Sequence, residues 1–171
     1  MSSTAQSRKI SANASITTRR AIVAAWLLCG VLDITAACLQ AWIQAGRAPG
    51  DVLRGVASAL WGRAALEAGF AMAAIGLAMH FTVALTATMI FYALSLRMSF
   101  LRTAPIWIVG PLYGVIVFCA MNYGTLPALS WLRSLYLHTP PRWPGPMSWP
   151  QLFIHMVCVG PPIVWGVRRA R

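Results

Sequence analysis

Asp33 sits inside an apolar run, Ala21 to Ile43, in a chain with only three acidic residues. An ionised side chain at the bilayer centre costs about 2.5–3.5 kcal/mol on insertion scales, so it must face protein or water and find a partner. At about 1.5 Å of rise per residue, Asp33 lies roughly 18 Å from the inner end of its helix. His80, in a second apolar run, lies roughly 18 Å from the outer end of its own, so both fall near the midplane. Asn122 and His155 fall in the outer third. Two polar layers are expected: Asp33 with His80, and Asn122 with His155. A carboxyl beside an imidazole can exchange a proton, because the two environments pull in opposite directions on each group's charge. That chemistry would serve a proton- or cation-coupled transporter. His80 with His155 could also ligate haem, as paired histidines do in four-helix membrane cytochromes, but their depths differ by about 10 Å. Zinc held by Asp33, His80 and His155 meets the same obstacle. The plainest role is structural, with hydrogen bonds of about 0.6 kcal/mol each that set helix register more than they stabilise.

Other chemistries find little footing. There is no Gly-x-Ser-x-Gly and no phosphate-binding loop, and Ser58 and Ser130 have no histidine and aspartate beside them in a hydrolase pattern. Asp51 is suited to cap a helix rather than to catalyse. His138 precedes Thr139 and Pro140 in a loop and is expected to be solvated. The four cysteines, Cys29, Cys38, Cys119 and Cys158, lie in apolar segments without a CxxC pair, as small buried hydrophobes do. A non-enzymatic protein is expected, with no cofactor and no metal.

The elements that position these residues follow from composition. The 171 residues are 58% hydrophobic and 10% charged, whereas a soluble domain carries about 25% charged residues. Only an apolar solvent makes that balance sensible. The net charge of +11 gathers at the ends of apolar segments, so topology and anionic headgroups account for it, not nucleic acid. Four segments are long enough to span: about 21–43, 68–94, 106–124 and 151–167. Residues 1–20 are polar and expected to form a disordered basic tail; 168–171 form a second basic tail. Arg19-Arg20 precedes an apolar run that is too long for a signal core. With the amino terminus inside, inner segments hold nine Lys/Arg and outer loops five, Arg47, Arg54, Arg63, Arg133 and Arg142. Both termini are therefore expected on the cytoplasmic side. Trp42, Trp131, Trp143 and Trp149 would mark the outer interface; Trp107, Trp165 and Tyr92 the inner one.

The outer loops carry structure of their own. Asp51 can cap a short helix, Val52 to Leu60, lying in the interface or folded back as a lid. Glu67 follows Arg63 at ion-pair spacing. The second loop starts with an amphipathic stretch, Leu129 to Leu137, and continues as a proline-rich cap, 139–146. Each span has a seam for close approach: Cys29, Asp33, Ala37 and Gln40; Gly69, Ala73, Gly76 and His80; Gly110, Tyr113, Gly114, Cys119 and Asn122; Gln151, His155, Cys158 and Pro162. Gly160-Pro161-Pro162 predicts a kink in the fourth span.

Gly-Val-Ala-Ser-Ala-Leu-Trp-Gly at 55–62, Leu-Ala-Met-His-Phe at 77–81, Tyr-Gly-Val with Met-Asn between 113 and 122, Leu-Pro-Ala-Leu-Ser at 126–130 and Ile-His-Met at 154–156 carry a resemblance. From about Ala21 to Val167 the chain resembles uncharacterised four-helix bacterial inner-membrane proteins, and is loosely similar to the YagU-type group. The resemblance implies a bacterial cytoplasmic membrane and assigns no chemistry. The expectation is therefore an all-α bundle of four transmembrane helices plus a short interfacial helix, N-in and C-in. Its polar cluster, Asp33, His80, Asn122 and His155, is structural in the leading reading. A proton-coupled small transporter comes second, with a homo-oligomer enclosing its pathway, and a haem protein third.

Overall fold

The computed structural model describes residues 2–141 and 145–170, with side chains from Ile16 onward. The described secondary structure is entirely helical. Helix α1 covers Ser2–Ala45, α2 Pro49–Trp61, α3 Ala64–Glu67, α4 Phe70–Arg97 and α5 Phe100–Thr103. Helix α6 runs over Ile106–Leu137 and α7 over Trp149–Arg168. Four stretches are long and apolar enough to cross a membrane: Ile16–Ala45 within α1, then α4, α6 and α7. The fold expectation of four spanning helices plus a short one holds. Trp107 is 75% exposed, Trp149 68% and Trp42 63%, as side chains facing an interfacial belt must be. Trp143 and Arg142 lie outside the described residues.

Two boundaries differ from the expectation. The disordered tail over 1–20 is instead the first part of α1, from Ser2 on. No Gly or Pro interrupts residues 2–20, and extending a helix already nucleated by an apolar span is far easier than starting one. The third span does not stop at Gly124; it continues through Pro127 to Leu137. The stretch Leu129 to Leu137 is therefore the end of that span and not part of a loop.

Both departures from regular winding sit just before prolines. Residues Ala120–Thr125 of α6 and His155–Val159 of α7 are π-helical. Pro127 follows the first and Pro161-Pro162 the second. A proline lacks the N–H that would bond to the carbonyl four residues earlier. Widening the turn reassigns the donors: Leu126 N–H bonds to the Met121 carbonyl and Gly160 N–H to that of His155. The chain thereby stays helical through its prolines.

In a bilayer, helices associate by packing and not by exclusion of water. Here glycine decides the approach. A Cβ on Gly160 would fall onto the Gly110 carbonyl, and one on Gly114 onto the His155 carbonyl, so α6 and α7 touch backbone to backbone. Gly166 receives Ala25 in the same way, joining α7 to α1. Helix α1 packs in turn on α4. The result is an open ring, α4–α1–α7–α6. The gap between α4 and α6 is bridged at one end by α2, which packs along α4 and touches the last turns of α6.

Helix α2 is folded back, not laid on a surface. Gly76, two turns into α4, has no room for a Cβ because the Leu53 carbonyl occupies it. Asp51 is the third residue of α2 and not its cap: its Oδ2 accepts the Ala48 N–H at 3.1 Å, and Oδ1 pairs with Arg54. The other end is held by α6. Arg133, 7% exposed, donates from Nη1 to the Ser58 carbonyl at 3.0 Å and from Nη2 to Ser130 Oγ at 3.2 Å. Tyr136 Oη donates to the Leu60 carbonyl. The Ser58 carbonyl also accepts the Gly62 N–H, so the buried guanidinium adds a charge-assisted bond there and complements the helix dipole. Replacing Arg133 by Met is expected to lower stability by about 1–3 kcal/mol, while Arg63→Met changes it by well under 1 kcal/mol. Arg63 is solvated, at 3.5 Å from Glu67. Thermal unfolding of the purified protein in detergent separates the two.

At the opposite end, Arg102 Nη1 donates to the Ser95 carbonyl at 3.0 Å, closing the last turn of α4. Arg168 Nη2 donates to the carbonyls of Leu101 and Ala104 at 2.8 and 2.7 Å. The carboxy-terminal basic tail is thus tied down at its first residue. Arg169 stacks on Trp165 at 3.8 Å. Arg171 lies outside the described residues.

Candidate functional site

The four expected polar residues line a single cavity of about 340 Å³ within the ring. Asp33 comes from α1, His80 from α4, Asn122 from the π segment of α6 and His155 from that of α7. Helix α2 supplies a further wall through Val52, Gly55, Val56 and Ala59. The folded-back helix thus walls part of the side that the four spans leave open.

Asp33 and His80 come together as their depths predicted. His80 Nδ1 lies 3.9 Å from Asp33 Oδ2, and the side chains are 12% and 16% exposed. His80 Nε2 lies 2.9 Å from the Gly30 carbonyl of α1. A carbonyl only accepts, so Nε2 carries a proton and Nδ1 is the nitrogen turned to the carboxyl group. The pair is electrically neutral when it holds one further proton, on Asp33 or on Nδ1. Asp33 Oδ1 is buried without a hydrogen-bond partner. Arg54 Nε and Arg133 Nε are likewise buried without a partner.

Asn122 and His155 do not bond to each other. Asn122 Nδ2 donates to the Phe118 carbonyl at 2.9 Å, and His155 Nδ1 donates to that of Gln151 at 2.8 Å. Each satisfies its own helix, which leaves the second layer as lining and not as a bonded pair. The His155 ring also meets Phe118 edge-on at 5.5 Å. Among the described residues, no three His, Cys, Asp or Glu side chains converge on a point where a metal ion could sit. Cys29 lines the cavity one turn before Asp33; Cys119 is exposed, away from the seam assigned to it.

Two further spaces adjoin the cavity and share lining residues with it. Toward α2 lies a polar vestibule of about 120 Å³, lined by Gln40, Gln44, Arg47, Asp51 and Gln151. Gln151 Nε2 donates to Gln40 Oε1 at 3.0 Å across its inner end, joining α7 to α1. On the other side an apolar groove of about 490 Å³ runs between α4 and α6. Val83, Ala87, Val117, Met121 and Thr125 line both groove and cavity. Below this divide Tyr113 ties the two helices, its Oη donating to the Ala87 carbonyl at 2.6 Å and its ring meeting Phe91 at 4.8 Å.

Arg133 and the Gln40–Gln151 link were the structural residues hardest to foresee. Arg133 read as one loop arginine among five. Its spacing from Ser130 and Tyr136, three residues each way on one helical face, is the signal that would have marked it.

Four apolar spans around an internal polar cavity make this a multi-pass membrane protein. No protein-family model matches the chain, and neither a curated protein nor a solved structure is similar to it.

Proposed function

We propose that the protein is a proton-linked carrier for a small cation, with the Asp33–His80 pair as the exchange site. The observation that carries this reading is that Asp33 is the one carboxyl group lining a cavity with no Lys or Arg in its wall, and that its Oδ1 is buried without a hydrogen-bond partner. A cation arriving at the Asp33 carboxyl group displaces the proton held by the pair, leaving ionised Asp33, neutral His80 and one proton released to water. Charge in the site is conserved, so the exchange does not strand a bare charge in the bilayer. The other titratable groups of the lining are Cys29 and His155, and they complete the set facing the pair. The vestibule past Gln40 and Gln151 is the water-side route.

The setting is a bacterial cytoplasmic membrane, with both termini and the Arg97–Arg102 turn on the cytoplasmic side. The distribution of Lys and Arg supports it, as does the resemblance to four-helix inner-membrane proteins. The basic ends would then lie against anionic headgroups. The vestibule faces outward in this orientation.

The test uses full-length protein in phospholipid vesicles loaded with a pH-sensitive dye. Tetramethylammonium, too polar to cross lipid unaided, is added outside under an imposed proton gradient. The expected result is proton movement out of the vesicles that saturates with tetramethylammonium and is absent from protein-free vesicles. Identical traces with and without protein would discard the carrier reading.

A further inference from the structure

The proposed exchange site adjoins a groove that opens toward the lipid, and this contact narrows the substrate class. We infer that the carried ligand is a single-chain amphiphilic cation that enters sideways from the bilayer, its head at Asp33 and its chain along the groove between α4 and α6. The inference rests on the carrier reading above and deepens it.

Charge argues for the head. The cavity lining contains one carboxyl group and no Lys or Arg, and Asp33 Oδ1 has no partner. An anionic head would meet the carboxyl group unfavourably, with no guanidinium or ammonium to offset it. Chain length argues for the tail. The groove contains no charged residue. Along α4 and just past its end it extends from Val83 and Ala87 to Leu94 and Met98, and the eleven rises between Ala87 and Met98 give a run of about 16 Å. A space of that length and polarity suits an extended alkyl chain and wastes itself on a compact ion.

The divide between the two spaces is suited to passage. Ala87 presents only a methyl group, and Met121 is an unbranched, flexible thioether. Met121 also belongs to the π segment of α6, where the helix is widened and its side chains are displaced from regular spacing. Chain and head therefore occupy adjoining spaces with no charged side chain between them.

The experiment is photolabelling in vesicles with a dodecyltrimethylammonium that bears a diazirine at the end of its chain. Adducts are mapped by mass spectrometry. They are expected on groove residues at the far end, such as Leu94, Met98 and Leu101, and to fall at least tenfold with excess dodecyltrimethylammonium. Asp33→Asn should cause a similar loss. Ile116→Trp, at a lipid-facing position 54% exposed, fills the groove without touching the core. It should abolish the adducts while leaving tetramethylammonium-driven proton movement intact. Labelling that is equal with a dodecanol analogue, or unchanged in both variants, would mean that ordinary lipid chains fill the groove, and the inference falls. If groove adducts are absent while tetramethylammonium still moves protons, the inference falls and the carrier reading stands. If neither signal is seen, both fall together.

Discussion

Replacing Asp33 by Asn is expected to abolish proton exchange, by at least tenfold, in a protein that folds as well as the wild type. Asn keeps the shape of the side chain but cannot take up or release the proton. It breaks no hydrogen bond on the way: Oδ1 has no partner, and Oδ2 stands 3.9 Å from His80 Nδ1, beyond bonding range. His80 keeps its anchor on the Gly30 carbonyl, which does not involve Asp33. The change in stability should stay within about 1 kcal/mol, the scale of a single polar contact between membrane helices. Dye-loaded vesicles report exchange and thermal unfolding in detergent reports folding, on the same preparation. The structural reading of the polar cluster makes the opposite forecast: no proton movement from either protein, and a lowered unfolding temperature for the Asn form. The two measurements therefore separate a carrier from a packing device.

Gly160→Ala should do the reverse, destroying the fold while leaving every ionisable group in place. The added methyl would lie against the Gly110 carbonyl, 2.7 Å from its carbon and 2.8 Å from the Gly114 nitrogen. These are backbone atoms of a facing helix, which have no rotamer into which to retreat. Overpacking of this kind costs about 1–3 kcal/mol where side chains can yield, and the upper end or beyond is expected here. Helices α6 and α7 must separate, and with them Asn122 and His155 leave the cavity wall. Gly124→Ala is the control. Nothing lies within 4 Å of a Cβ there, so the unfolding temperature should hold or rise slightly. A thermal shift measured by size-exclusion chromatography after heating distinguishes them: early loss of the monodisperse peak for Gly160→Ala, none for Gly124→Ala.

Much of the architecture was legible in local sequence. Hydropathy over a window of about 20 residues requires no knowledge of distant contacts, which is why four spans could be placed. Rise per residue converts position into depth, which is why Asp33 and His80 were expected to meet. The small residues of the seams marked Gly76, Gly110 and Gly114 as contact points, and all three are where another backbone arrives. The same reasoning faltered at Gly69, which has nothing within 4 Å, since a period alone does not say where a neighbouring helix ends.

Asn122 and His155 show the limit most clearly. Equal depth suggested a bond, but each side chain found a carbonyl on its own helix first, next to winding altered by a proline. Whether a polar group turns to its own backbone or to a neighbour depends on interhelical distances that no local pattern encodes. The course of α2 has the same origin. Its amphipathic face was readable, whereas its docking depends on the Leu53 carbonyl meeting Gly76 and on Arg133 reaching Ser58 from 75 residues away. The sequence by itself determined the membrane as solvent, the number of spans and the depth of each polar side chain, because these follow from composition and rise per residue. Only the tertiary structure decided that α2 forms one wall of a cavity, that Asp33 on its lining keeps one buried oxygen unpartnered, and that an apolar groove adjoins it. Those three depend on how closely separate helices approach, and that distance is set by backbone contacts between residues far apart in the chain.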